Sequence, residues 1–122
     1  MTRFFSIFLI LLTLLTSCEF LPMESTSQEV NFTLAPSAKH TIAVEIKEGH
    51  RVSGSFSVSG KETYIDFYIK DPAGGLAYGV TRAQGGLSFE APAETTGLYT
   101  LYFDNSFSFG SSRDITLRYQ VR

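Results

Sequence analysis

Tyr64-Ile65-Asp66-Phe67-Tyr68-Ile69-Lys70 alternates polar-face and apolar residues without a break and runs straight into Asp71-Pro72-Ala73-Gly74. Ile65, Phe67 and Ile69 fall on one phase, and Tyr64, Asp66, Tyr68 and Lys70 on the other. A period of two is the mark of a strand with one buried face. The tetrapeptide that follows predicts a type I turn. Asp71 can bond the backbone ahead of it, Pro72 pre-sets φ, and Gly74 takes the fourth place.

The same period recurs on both sides of this stretch. Val30, Phe32 and Leu34 alternate with Asn31 and Thr33; Ile42, Val44 and Ile46 alternate with Ala43 and Glu45; Phe56 and Val58 alternate with serines. Further on come Leu87 and Phe89, then Tyr99, Leu101 and Phe103, then Ile115, Leu117, Tyr119 and Val121. Glu48-Gly49, Ser59-Gly60, Gly85-Gly86 and the stretch from Pro92 to Gly97 supply the breaks. After Cys18 no window has helical periodicity, and the β-branched and aromatic content agrees with strands. About eight short strands at near-regular spacing predict an all-β, antiparallel, jelly-roll-like sandwich. There is no internal repeat.

The N-terminus reads differently. From Phe4 to Leu15 only Ser6 and Thr13 are polar, and Arg3 precedes the run. As a helix this segment would reach roughly 18 Å, against roughly 30 Å of bilayer core. A charged start, a short apolar run and small residues form the layout of a cleaved export signal. Leu15-Thr16-Ser17-Cys18 resembles the lipobox of bacterial lipoproteins, in which the cysteine is lipidated. Cys18 is the one cysteine of the chain. A free thiol in an exported protein has no partner to pair with, and lipidation removes that difficulty. The expected organisation is a signal peptide over 1–17, a lipidated tether over 18–28 and a single sandwich domain over 29–122. The expected location is the extracytoplasmic face of a cell membrane, with lipid on Cys18 as the anchor. An ordinary cleaved signal is the alternative.

Ten basic and twelve acidic residues give a net charge of −2, which excludes a basic nucleic-acid face. His40 and His50 lack the spacing and the cysteine partners of a zinc site and read as surface residues. No Gly-x-Ser-x-Gly elbow surrounds any serine. Asp66, Asp71, Asp104 and Asp114 do not form the clustered run that calcium loops use. The sequence therefore implies no enzyme, no cofactor and no metal.

From Tyr64 to Val121 the chain resembles the GOLD domain of the emp24/gp25L/p24 family. The segments that carry the likeness are Tyr64 to Gly75, Leu87 to Pro92, Gly97 to Ser108 and Ser112 to Val121. The most specific part is the Gly97-Leu98-Tyr99 strand running into Phe103-Asp104-Asn105-Ser106. The resemblance implies a β-sandwich that mediates protein–protein recognition without a catalytic centre. The p24 proteins pair two cysteines within this domain, whereas Tyr102 precedes Phe103 here and no second cysteine is available. Their coiled coil, membrane helix and sorting tail find no counterpart in the resemblance, so cargo selection is not carried over. A weaker similarity links Asp66 to Pro72, Phe89 to Pro92 and Gly97 to Leu101 with the pre-peptidase C-terminal domains of secreted bacterial enzymes.

Candidate binding residues follow from exposure and chemistry. Tyr64, Asp66 and Tyr68 share the outer face of one strand, where tyrosines make cross-strand pairs or offer flat rings to a ligand. Phe107 and Phe109 alternate with serines and either fold over the end of the sandwich or stand exposed as an interaction patch. Asn105 and Ser106 read as turn caps. Asn31-Phe32-Thr33 matches a glycosylation sequon, relevant only in a eukaryotic secretory route. The expected function is recognition of another envelope protein. The alternatives are a carbohydrate-binding module on the Tyr64 and Tyr68 face, or an accessory subunit of an envelope enzyme or transporter.

Overall fold

In a computed structural model, residues 27–122 are described. The export segment, Cys18 and most of the tether lie outside the described residues. Eight strands follow in order: β1 (Gln28–Leu34), β2 (Lys39–Ile46), β3 (Arg51–Gly60), β4 (Tyr64–Lys70), β5 (Leu76–Gln84), β6 (Gly86–Pro92), β7 (Gly97–Asp104) and β8 (Arg113–Val121). They form two four-stranded antiparallel sheets, β1-β8-β3-β6 and β2-β7-β4-β5. Consecutive strands mostly change sheet, which is the connectivity of an eight-stranded jelly roll.

The alternation read from the sequence sets which side chains meet between the sheets. Ile65, Phe67 and Ile69 are fully buried, as are Leu101, Phe103 and Leu117. Phe67 is the hub: its ring lies 4.9 Å from Phe56, 4.9 Å from Phe89 and 5.0 Å from Phe103. Tilted and edge-on contacts of this kind add to the area that the rings bury. Val52, Ala83, Ala91 and Ala93 belong to the same core, with Ile46, Val58, Tyr99 and Ile115.

β5 is the strand that alternation does not mark. Its pairing with β4 slips between Ile65 and Phe67 and again between Ile69 and Lys70. A bulge moves a residue out of phase and blurs the period. At the first slip Arg82 sits at φ 54°, in the left-handed region. The passage from β5 to β6 requires glycine for a stated reason. Gly86 has φ 131°, and a Cβ there would collide with the carbonyl of Phe56.

The two ends of the sandwich carry different connections. One end holds residues 35–38, 61–63, the β5–β6 corner and the long loop 105–112. The other holds residues 47–50, 71–75 and 93–96, together with the start of β1 and the end of β8. Gln28 pairs with Tyr119, and Arg122 exchanges backbone bonds with Arg51, so both are at this second end.

Candidate functional site

The loop 105–112 is held by a buried arginine. Arg113 is 0 % exposed at the start of β8, on the same inward phase as Ile115 and Leu117. Its Nε donates to the Tyr64 carbonyl at 3.0 Å. Nη1 donates to Ser108 Oγ, to the Ser111 carbonyl and to Ser111 Oγ at 3.0, 2.9 and 2.8 Å. Nη2 meets Glu62 Oε2 at 2.7 Å. A buried cation costs several kcal/mol unless it is paired and hydrogen-bonded, and each guanidinium nitrogen is so engaged here. Glu62 remains 44 % exposed. The bond from Arg113 holds its carboxyl below the usual range, helped by Tyr64 and Ser111 and opposed by partial desolvation.

Asn105 makes the second tie. It is fully buried, and its Nδ2 donates to the carbonyls of Ala35 and Ser111, both at 3.1 Å. The residue expected to cap a local turn therefore joins two loops. The local cap is supplied by Asp104, whose Oδ1 accepts the Ser106 N–H at 2.8 Å. Backbone bonds from Ser37 to Ser108 and from Asn105 to Ala38 complete the closure.

Rings and charges alternate over this end. Tyr64 stacks on Phe107 with centroids 5.5 Å apart and planes 16° off parallel. The Arg82 guanidinium lies 3.5 Å from the Phe107 centroid, and Arg113 lies 5.0 and 5.4 Å from the Tyr64 and Phe107 rings. Arg82 in turn grips Asp66 through Nη1 at 2.7 and 2.6 Å, while its own N–H donates to Asp66 Oδ1 at 2.7 Å. The bulge makes this possible, because Asp66 faces the displaced backbone of β5 rather than a regular partner.

Three of the sequence-derived residues, Tyr64, Asp66 and Phe107, are thus brought together, through two arginines that the sequence reading did not single out. Arg113 left a signal, an arginine on the buried phase of β8. Arg82 left none, since the bulge removes its phase. Tyr68 belongs elsewhere. It stacks on Tyr102 across the strand boundary at 4.7 Å and 12°, with Lys70 Nζ 5.8 Å from the Tyr68 ring and 5.1 Å from the Tyr102 ring. Burial raises the Tyr68 hydroxyl above its ordinary pKa, with the charge of Asp104, the Tyr102 hydroxyl and the charge of Asp66 acting in the same sense. Tyr64 and Tyr68 each turn a flat face to another ring. Phe107 folds over the end of the sandwich, whereas Phe109 is 88 % exposed. The two rings of this pair therefore part company, one packed against Tyr64 and the other in solvent.

The remaining candidates have structural places. His40 is not a plain surface residue, because it is half-buried and stacked on Phe32 at 4.0 Å. Asp71 closes its turn as expected, accepting N–H bonds from Ala73 and Gly75 at 3.0 and 2.8 Å. Asp114 accepts from Thr33. Among the described residues no group of three or more His, Cys, Asp or Glu side chains converges as a metal site would require. Ser108 and Ser111 spend their oxygens on Arg113, a donor that cannot accept a proton at ordinary pH.

The profile of the emp24/gp25L/p24 family/GOLD matches residues 29–122. Transmembrane emp24 domain-containing protein 3 of Mus musculus is 32 % identical over 96 residues, covering 78 % of this chain and 43 % of that protein. The Rattus norvegicus protein of the same name is 32 % identical over 94 residues, covering 76 % of this chain and 42 % of its own length. The chain therefore spans about two fifths of these relatives. Two solved structures share the fold at 13 % identity. Aeromonas hydrophila PliG, a periplasmic inhibitor of g-type lysozyme, superimposes with a TM-score of 0.51 over 80 % of this chain and 86 % of its own. A chain from the disulfide-linked pili of Bacillus endospore appendages gives 0.53 over 80 % and 85 %.

Proposed function

The chain belongs to the emp24/gp25L/p24 family/GOLD, and from that membership we propose a non-catalytic binding module that recognises another protein of the cell envelope through the 105–112 loop. The observation that carries this reading is Phe109, 88 % exposed at the tip of a loop tied down by buried Arg113 and Asn105. A large ring on a fixed backbone loses little freedom when it enters a partner's pocket. The stacked faces of Tyr64 and Tyr68 favour a protein over a sugar, since one flat face of each ring is already covered by another ring.

The module is exported and held by lipid on Cys18 at the extracytoplasmic face of a bacterial membrane. The layout of residues 1–18 supports this reading. The described chain enters the sandwich at Gln28, at the end opposite the aromatic loop. Strands of seven to ten residues separate the two ends by roughly 25 Å. The anchored module presents Phe109 away from its own membrane.

Two variants test the reading. Cys18→Ser is expected to lose the acyl mass and the membrane retention of the native protein; an unacylated native product contradicts the anchor. Phe109→Ala is expected to weaken the complex recovered by crosslinking in cells by roughly thirtyfold, the scale of a hot-spot truncation. Full recovery of the same partner by Phe109→Ala contradicts the tip as the recognition surface.

A further inference from the structure

The two sheets have four outer edges, and the edges are not equally guarded. β5 carries two register slips and a left-handed Arg82, and β6 ends in Pro92, which has no N–H to offer. On the opposite flank β1 and β2 are regular. β2 is eight residues long, free of glycine and proline, and pairs with β7 without a slip.

The phase of β2 shows which backbone groups β7 leaves unused. Asn105 N–H donates to the Ala38 carbonyl at 2.9 Å, and these residues continue the register in which Lys39 faces Asp104. Bonded pairs in an antiparallel ladder alternate, so the even-numbered residues of β2 spend their N–H and C=O groups on β7. Those of Lys39, Thr41, Ala43 and Glu45 point away from the sheet, and all four residues are exposed.

We infer that β2 pairs antiparallel with β2 of a second copy, about a two-fold axis through Ile42. That register sets Thr41 against Ala43 of the partner copy and Lys39 against Glu45, each twice. The bonded pairs then fall on the odd-numbered residues, which are those whose backbone groups face away from β7 and have no partner among the described residues. Opposite charges face each other on the outer side of the new ladder, a favourable cross-strand arrangement. Within one chain Glu45 has no ion pair among the described residues, and Lys39 reaches only Asp104, at 3.8 Å, with its side chain 54 % exposed. On the inner side half-buried Ile42 meets its own copy, beside the cleft that Val44, Tyr119 and Val121 line between the sheet edges. β1 has no such self-complementarity, because its outward residues are Glu29, Asn31 and Thr33. The two sheets of four that contain β2 become one sheet of eight, with the same patch used on both sides. The tip loop takes no part, so the inference stands apart from the proposed function.

Sedimentation of the full-length chain in detergent tests this, with the wild type beside Glu45→Lys, the Lys39→Glu/Glu45→Lys exchange and Ala43→Pro. The wild type is expected as a dimer that weakens with added salt. Glu45→Lys sets lysine against lysine twice and weakens association by about tenfold or more. The double exchange restores it. Ala43→Pro replaces an outward N–H and abolishes the dimer while the thermal transition of the monomer persists. A wild type that stays monomeric at every concentration reached overturns the inference. So does a dimer indifferent to both Glu45→Lys and Ala43→Pro, and so does a failure of the double exchange to restore what Glu45→Lys removes.

Discussion

The two ends of this sandwich are closed by different physics. At the end that receives β1, short turn bonds are joined by main-chain and hydroxyl bonds between loops: Gly49 N–H donates to the Ala93 carbonyl, Ala93 N–H to His50, and Glu48 N–H to Thr96 Oγ1. Gly74 N–H returns to Asp71, His50 N–H returns to Lys47, and the Asp71 carboxylate caps its own loop. At the opposite end the closing bonds come from buried side chains. Arg113 reaches Glu62, 51 residues away, and Asn105 reaches Ala35, 70 residues away. Main-chain bonds at the first end reverse the chain and join its loops. The end closed by buried side chains does more, because its ties fix a loop that carries an exposed aromatic ring.

Breaking the ties should separate the ends most clearly. Arg113→Ala removes a fully buried side chain and leaves a void, with the Tyr64 carbonyl and Glu62 deprived of their donor. It is expected to cost about 3 kcal/mol or more in chemical denaturation. Amide exchange should quicken across residues 105–112 and not across 71–75. Asn105→Ala leaves a void and takes one of two donors from each of the Ala35 and Ser111 carbonyls, and should cost about 2 kcal/mol by the same measurement. Asp71→Ala, its counterpart at the other end, should cost about 1 kcal/mol and leave the exchange of residues 105–112 untouched.

Acid sharpens the same contrast. Glu62 is held below its ordinary value near 4.5 chiefly by its bond from Arg113. A carboxylate with a depressed folded pKa stabilises the fold above its unfolded value and loses that contribution as pH falls through the folded one. Thermal midpoints should therefore drop below about pH 4.5, and Glu62→Gln should remove that part of the dependence. The effect is modest, because solvent screens a carboxylate that is 44 % exposed. Phe109→Ala should change stability least, within about 0.5 kcal/mol, since the ring is almost wholly in water. A larger loss in denaturation would show that Phe109 helps hold the loop.

What could be read from the sequence divides along the same line. The pattern Ile65, Phe67, Ile69 and the turn at Asp71 are local facts, and they led to a sandwich and to its turns. The likeness of the segment from Tyr64 to Val121 to GOLD domains led to the family that the profile over residues 29–122 establishes. β5 escaped because its slips destroy the period at the residues where Arg82 meets Asp66. Arg113 was legible in principle, as a charge on the inward phase of β8, but its partner Glu62 lies on another loop with no sequence mark. Tyr64, Asp66 and Phe107 were named for the chemistry of their side chains. Their assembly depends on two arginines whose contacts exist only in the folded chain. Tyr68 was grouped with them by phase, yet it answers to Tyr102, its cross-strand neighbour on β7.

The account turns on recognition at the tip of the loop. A photo-crosslinking residue placed at position 109 in the full chain, in living cells, and another at position 94 on the opposite end, test it directly. The account predicts a discrete protein adduct from position 109 and none from position 94. An adduct formed from position 94 and absent from position 109 would contradict it.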